Sequence, residues 1–226
     1  YNLGAESSAR AVPIYFGASS NPDMIITTTS RVGIGTTNPK YKLEVNGNFS
    51  ANNTQINGNA TISGNVTVLG NLSVKRPYGM FSSTETQNMT SAGTPKAITF
   101  NWTEKAYQIS LSDNNTNITF EHTGEYLVEI SAIVSTNNNN KHIEIWVQKN
   151  GINLPRSNTR PEIENAGTEQ IISVPFYLDV NSTNDKYRLM MASDDIGSLL
   201  VYTTNTSYSP ESPSIIMTVG KVSEVS

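Results

Sequence analysis

Hydrophobic and polar positions alternate along most of this chain, but the alternation is punctuated in two different ways. Between Gly58 and Lys75 a six-residue unit occurs three times: Gly58-Asn-Ala-Thr-Ile-Ser, Gly64-Asn-Val-Thr-Val-Leu and Gly70-Asn-Leu-Ser-Val-Lys. A looser copy, Asn52 to Asn57, precedes them. The fifth position therefore reads Ile56, Ile62, Val68, Val74, and the third reads Thr54, Ala60, Val66, Leu72. In an extended chain residues two apart share a face, so these two positions make one narrow apolar edge while the Thr or Ser between them points away. One repeat cannot bury that edge alone, and a single-chain β-helix of hexads uses about three hexads per coil, so one chain has little more than one coil. Three identical chains, each giving one side of a three-sided shaft, would close the edge at every level, with glycine permitting the corners. The pattern predicts a homotrimeric β shaft over residues 46–77, with Ile56, Ile62, Val66, Val68, Leu72 and Val74 in its core. A Gly/Asn/Thr-rich linker would carry no such phase.

Lys75-Arg76-Pro77-Tyr78-Gly79 breaks the repeat, and from Met80 the pattern is that of an antiparallel β domain. Alternating faces are read at Tyr107, Ile109 and Leu111, and at Tyr126, Val128, Ile130, Ala132 and Val134 after Gly124. Ile143, Ile145 and Val147 form one face of a strand whose other face is His142, Glu144, Trp146 and Gln148. Asn150-Gly151 then supplies the φ > 0 pair of a tight hairpin turn. Further faces are Ile172 to Val180, Tyr187 to Met191, Leu199 with Val201, and Ile215 to Val219. Eight to ten strands separated by turn signals predict a sandwich or jelly roll over residues 78–226. Residues 1 to about 30 give short strand-like pieces, Val12 to Phe16 and Met24 to Thr29, around the polar turn Ser19 to Asp23. The abrupt start at Tyr1 suggests a cut from a longer chain.

Two segments carry a family resemblance. Arg31-Val-Gly-Ile-Gly-Thr-Thr-Asn-Pro-Lys-Tyr-Lys-Leu-Glu-Val-Asn-Gly47 resembles the Val-Gly-Ile-Gly-Thr and Leu-x-Val-x-Gly segments of shafts and necks in phage and other viral fibre proteins. Residues 120–222 resemble a C1q/TNF-like head of the kind found at viral fibre tips. The match lies in Gly124-Glu-Tyr126-Leu-Val, in Ile145-Trp146-Val-Gln-Lys149-Asn150-Gly151, and in Pro210 to Val219 as a closing strand. The collagenous stalk of animal C1q proteins is absent. The resemblance implies an all-β chain: N-terminal neck strands (1–45), a trimeric shaft (46–77) and a trimeric jelly-roll head (78–226). It further implies a structural fibre or spike protein at a virion surface, joined to other virion proteins through its N-terminal side, whose head binds a host-surface glycan or receptor. A fibre-associated polysaccharide-degrading enzyme and a spike without ligand are the alternatives.

Composition changes this picture little. Charged residues make 15% of the chain and hydrophobic ones 36%, as expected for polar, uncharged strands. The net charge of -4 and absence of a basic cluster argue against nucleic acid, and no run of about 20 apolar residues predicts membrane insertion. There is no cysteine, so no disulfide or thiolate metal site contributes. No catalytic residue, metal or cofactor is expected. Gly33-x-Gly35 lacks the rest of a phosphate loop, no Gly-x-Ser-x-Gly occurs, and His122 and His142 lie on separate strands. Glu162 and Glu164 read as solvated loop carboxylates beside Pro161. Asp194-Asp195 reads as a solvated turn, although C1q-like trimers can hold calcium near their apex. Trp146, Tyr202 and Tyr208 are candidates for stacking on sugar rings. Asn-x-Ser/Thr sequons occur at Asn48, Asn52, Asn59, Asn65, Asn71, Asn88, Asn101, Asn114, Asn117, Asn181 and Asn205, and they matter only where synthesis occurs in a glycosylating compartment.

Overall fold

The computed structural model describes residues 24–223; the expected strand Val12 to Phe16 and the turn Ser19 to Asp23 lie outside them. The chain divides into two compact units, residues 1–70 and 71–226.

In the first unit, β1 (Met24–Ile26), β2 (Val32–Ile34) and β3 (Leu43–Val45) form a three-stranded sheet. β1 pairs antiparallel with β2, Ile25 opposite Gly33, and β2 runs parallel to β3, Val32 opposite Leu43. The strand expected to reach Thr29 stops at Ile26. The reason is a turn: Ser30, at φ 57°, donates its N–H to the Thr27 carbonyl at 3.0 Å. The glycines of Gly33-x-Gly35 are there for backbone proximity. A Cβ on Gly33 would stand 2.5 Å from the Thr36 carbonyl oxygen, and one on Gly35, at φ +67°, 2.6 Å from that of Asn46. The first lets the chain turn tightly after β2, and the second lets the residue after β3 approach the end of β2. Residues 46–77 form no strand within the single chain.

The second unit is a jelly-roll sandwich of two seven-stranded sheets. Its strands are β4 (Tyr78–Ser83), β5 (Gln87–Asn88), β6 (Lys96–Ala97), β7 (Trp102–Tyr107), β8 (Ile109–Ser112), β9 (Asn117–Phe120), β10 (Gly124–Ser135), β11 (Lys141–Lys149), β12 (Ile152–Asn153), β13 (Glu162–Ile163), β14 (Gln170–Val180), β15 (Lys186–Ser193), β16 (Leu199–Leu200) and β17 (Ile215–Ser223). The first sheet runs β5-β16-β10-β17-β4-β7, with β14 also paired to β10; the second runs β12-β11-β15-β9-β8, with β13 on β11 and β6 on β15. Sequence and structure agree that the fold is all-β and that the strands of the head pair antiparallel. Nine of the fourteen head strands, β4, β7 to β11, β14, β15 and β17, have four or more residues.

One core lies between the sheets, built from the inward phase of each long strand. From β10 come Tyr126, Val128, Ile130, Ala132 and Val134. β11 gives Ile143, Ile145 and Val147, and β17 gives Ile215, Met217 and Val219, all buried. Aromatic rings pack where β9, β10 and β15 meet: Phe120 is 4.6 Å from Tyr126 and 5.8 Å, edge-on, from Tyr187. The Tyr126 hydroxyl donates to the His122 carbonyl at 2.8 Å, so the buried ring keeps its polar end satisfied. Pro175 interrupts β14 without harm, because that strand pairs only with β10 and its other edge needs no donor.

Three expectations are corrected by tertiary structure. Tyr107, Ile109 and Leu111 do not share one strand, because Gln108 at φ 59° turns the chain from β7 in the first sheet to β8 in the second. At β16 the buried residue is Leu200, while Leu199 and Val201 are half-buried, the reverse of the expected phase. On β11 the face with Trp146 and Gln148 is buried as well as the face with Ile145, since the segment after β12 crosses back over it: Thr159 bridges to Ile145 and Leu154 donates its N–H to the Val147 carbonyl at 2.9 Å.

Candidate functional site

The hexads leave an apolar stripe without cover in the single chain. Ile56, Ile62, Val66, Val68, Leu72 and Val74 are between 45% and 71% exposed, and Leu69, at the sixth position of its unit, is fully exposed. Thr61, Thr67 and Ser73 are exposed too, so one chain by itself does not distinguish the two faces. Within the described part of this segment the side chains make little contact beyond Gln55 Nε2 donating to Asn57 Oδ1 at 2.9 Å. An exposed row of this length costs free energy in water at about 25 cal/mol per Å² and is the mark of a surface that pairs.

The head has a second such surface. The residues of β10 out of phase with the core are flanked across the sheet by other outward side chains: Tyr177 opposite Leu127, Pro175 and Thr218 on either side of Glu129, and Ile171 opposite Ile133. Continuing through β4, Met80 lies opposite Thr218, and Tyr78 tilts against Tyr107 with ring centroids 6.1 Å apart. Ile171, Tyr177, Tyr78, Met80 and Trp102 are all exposed. A shallow depression of about 250 Å³ lies at the middle of this face, lined by Glu129, Ser131, Pro175, Ile216 and Thr218 among others.

The outward row of β11 is a polar network. His142 Nδ1 is 3.1 Å from Asp194 Oδ2, and its Nε2 is 3.9 Å from Glu162. Glu144 accepts from Arg160 Nε at 2.9 Å and from the Asn158 amide at 2.7 Å. Trp146 Nε1 and the Gln148 amide both donate to Asn153 Oδ1, at 2.7 and 2.8 Å, and Arg188 Nε donates to Gln148 Oε1 at 2.7 Å. Burial pushes the Asp194 carboxyl up, but the His142 N–H and ring outweigh it and hold the group below its usual range. Of these, alternation along β11 marks Glu144; Asn153, Asn158 and Arg160 carry no signal in the sequence, since β12 and the loop after it have no pattern of their own.

The candidate aromatics do not form one platform. Trp146 is only 8% exposed and lines a depression with Glu144, Asn153, Leu154 and Asn158, so it offers too little of its ring for face-on stacking on a sugar. Tyr202 and Tyr208 belong to the loop between β16 and β17, which Thr203 and Ser212 close by a backbone bridge. Tyr202 donates to Glu211 Oε2 at 2.6 Å, which raises its pKa, and Tyr208 is 88% exposed.

The Asp194-Asp195 turn is only half solvated. Asp194 is exposed, but Asp195 is 5% exposed, with Oδ1 accepting from Asn138 at 3.0 Å and Oδ2 without a hydrogen-bond partner among the described residues. No three His, Cys, Asp or Glu among the described residues are grouped to hold a metal ion. Of the sequons, Asn117 is buried, with its amide held by Asp113, and so is inaccessible to a glycosyl donor in the folded head. The other ten are exposed, though Asn101 is engaged by the Thr84 N–H at 2.8 Å.

At the end of the β11–β12 hairpin, Asn150 at φ 52° and Gly151 at φ 83° form the expected two-residue turn, with Lys149 opposite Ile152. Asn150 Nδ2 also donates to Asp185 Oδ1 at 3.0 Å, and Lys149 Nζ is 2.9 Å from Asp185 Oδ2. Burial alone would raise the Asp185 pKa. The Asn150 amide, the Lys149 ammonium and the N–H groups of Ser182 and Asn181 together hold it down to about 2.

Comparison with known proteins adds little. No protein-family profile matches the chain, and no curated protein sequence matches it. Among solved structures, the globular domain of zebrafish complement 1qA protein superposes with a TM-score of 0.43 at 10% identity, over 66% of this chain and 100% of that one. The fold assignment therefore rests on the sheet order and core of this chain itself, an all-β jelly-roll head preceded by a hexad-repeat segment.

Proposed function

We propose that this chain is a homotrimeric viral fibre or spike protein. In this reading three hexad segments wrap into a β shaft, the N-terminal side joins other virion proteins, and the jelly-roll head is held outward to bind a host-surface glycan or receptor. The observation that carries the reading is the hexad stripe: six side chains in strict register, each 45–71% exposed in the single chain. The outward face of β10, β14, β17 and β4 supports it, since exposed Ile171, Tyr177 and Met80 beside small polar residues suit a contact between heads. Three heads on one shaft give avidity that one weak site lacks.

Light scattering at low protein concentration tests assembly and should return three chains; a folded, stable monomer would overturn it. Incubation with a panel of host-surface polysaccharides tests the role. Retention supports attachment, release of reducing ends would replace it with an enzyme, and neither would leave an architectural spike.

A further inference from the structure

We infer that the head carries a built site for a carboxylated sugar at the end of the sandwich where β4 begins and β17 ends. The inference deepens the attachment reading and rests on it for biological meaning, although the site itself does not. In a chain with net charge -4, a depression of about 390 Å³ gathers Lys75, Arg76, His122 and Lys221, with Gln108 beside them and Pro77 and Val222 as apolar wall. That volume is in the range of a site for one small ligand, about 300–1,000 Å³.

Several features show that this grouping is constructed by the fold. Arg76 Nη1 donates to the Val222 carbonyl at 2.9 Å, which fixes the guanidinium and leaves further donors of its planar fork, suited to bidentate recognition of a carboxylate. Lys221 donates its own N–H to the Pro77 carbonyl at 3.0 Å, tying the two lining segments together. Its side chain lies against Gly124: at φ +147°, a Cβ there would stand 2.3 Å from Lys221 Cε and 2.7 Å from the Ser223 carbonyl oxygen. Gly124, having no Cβ, leaves room for that lysine stem. Gln108, the left-handed corner between β7 and β8, turns into the same depression. Non-glycine residues held at positive φ cost free energy and concentrate at sites that need them. Among the described residues no carboxylate lies within ion-pair distance of Lys75 or Arg76.

The mixture decides the ligand class. Arg76, held by its bond to Val222, and the neighbouring Lys75 select an anion, the Gln108 amide and the His122 ring can pair with hydroxyls, and Pro77 and Val222 suit the apolar face of a pyranose. An acidic sugar presents all three features; an inorganic anion or a neutral sugar presents only part.

The test uses the 226-residue chain as it assembles in solution and three disaccharide probes: one ending in glucuronate, its glucose-terminated counterpart, and a glucose 6-sulfate counterpart. Titration calorimetry or ligand-observed NMR should find the glucuronate probe binding with salt-sensitive affinity, at least tenfold tighter than the neutral one and tighter than the sulfate. Arg76→Ala and Lys75→Gln should each weaken it at least fivefold with an unchanged melting temperature, and Arg76→Lys should recover part of the loss. Equal binding of neutral and glucuronate probes, preference for the sulfate, or affinity unmoved by either substitution would overturn the site. Retention of neutral host glycans, with no glucuronate binding, would remove this inference while leaving the attachment reading intact.

Discussion

β10 and the hexad segment follow the same rule of alternation and meet opposite fates. In β10, Tyr126, Val128, Ile130, Ala132 and Val134 are at most 2% exposed, whereas in the hexads Ile62, Val66, Val68 and Leu72 remain largely in water. The difference is not in the strand pattern. β10 pairs with β14 and β17 and faces β11 and β15 across a core, so its partners lie in the same chain at long sequence separation. The hexads have no such partners among the described residues. Alternation specifies a face; it does not specify what covers that face, and in the proposed trimer the covering surface for the hexads comes from the two other chains.

The sharpest way to break this comparison is to charge the stripe. Val68→Asp would put three carboxylates at one level of an apolar column in a trimer, where desolvation and like-charge repulsion act together. Thermal melting and light scattering should then show loss of the shaft and weakened trimers. Thr67→Asp, on the opposite face, should shift stability by only about 0.5 kcal/mol. Equal losses would mean that the faces are reversed or that the segment is a linker. The complementary experiment empties the core that one chain completes by itself. Ile145→Ala, at a fully buried position, should cost the head about 2–5 kcal/mol. Its unfolding should be independent of protein concentration if the head is stable within one chain, and a concentration-dependent head transition would show that the heads share their stability.

Much of the head was legible because local and long-range constraints agree there. Asn150-Gly151 is such a case: its residue types demand φ > 0 and the strands on either side pair across it. The misreadings fall where a distant segment decides. Alternation puts Trp146 and Gln148 on the face opposite Ile145, and nothing in β11 announces that the Leu154 to Pro161 segment returns to cover them. Gln108 has no turn signature, yet it must change sheets because Tyr78 and Tyr107 pair on one side and Ile109 and Phe120 on the other. The basic depression was invisible for the same reason. Lys75 and Arg76 close the hexad segment while His122 and Lys221 lie far along the head in sequence, and only the closing of β17 onto β4 and β10 brings them together.

Within the first unit the comparison can be sharpened at the small sheet, whose three strands pair within one chain although Ile34 and Leu43 stay exposed. Gly35→Ala would force a Cβ to 2.6 Å from the Asn46 carbonyl oxygen at a φ of +67° that alanine disfavours. A loss of about 1–3 kcal/mol local to β2 and β3 is expected. Hydrogen exchange should rise at Val32 and Asn46, whose N–H groups donate to Lys42 and Ile34 carbonyls at 2.8 Å, and remain unchanged in β10 and β11. Protection that stays intact at Asn46 would mean that β3 is held by something other than this close approach.

The smallest effect separates the two regions by pH. Asp185 keeps the β11–β12 turn attached to the start of β15 through Asn150 and Lys149, and its folded pKa of about 2 lies below the ordinary 3.8. A depressed carboxylate stabilises the fold fully above the unfolded value, and that contribution is lost as pH falls from about 4 through about 2. Discounted for solvent screening around the partly exposed Lys149, it is on the order of 1–2 kcal/mol at neutral pH. Asp185→Asn keeps the shape but removes the charge, so the head of the variant should melt earlier than the parent at pH 7 and converge with it near pH 2. The hexads hold no Asp or Glu between Gly58 and Lys75, so the shaft transition should be flat across the same window. A gap between parent and variant that persists unchanged to pH 2 would show that Asp185 acts through packing and hydrogen-bond geometry and not through its charge.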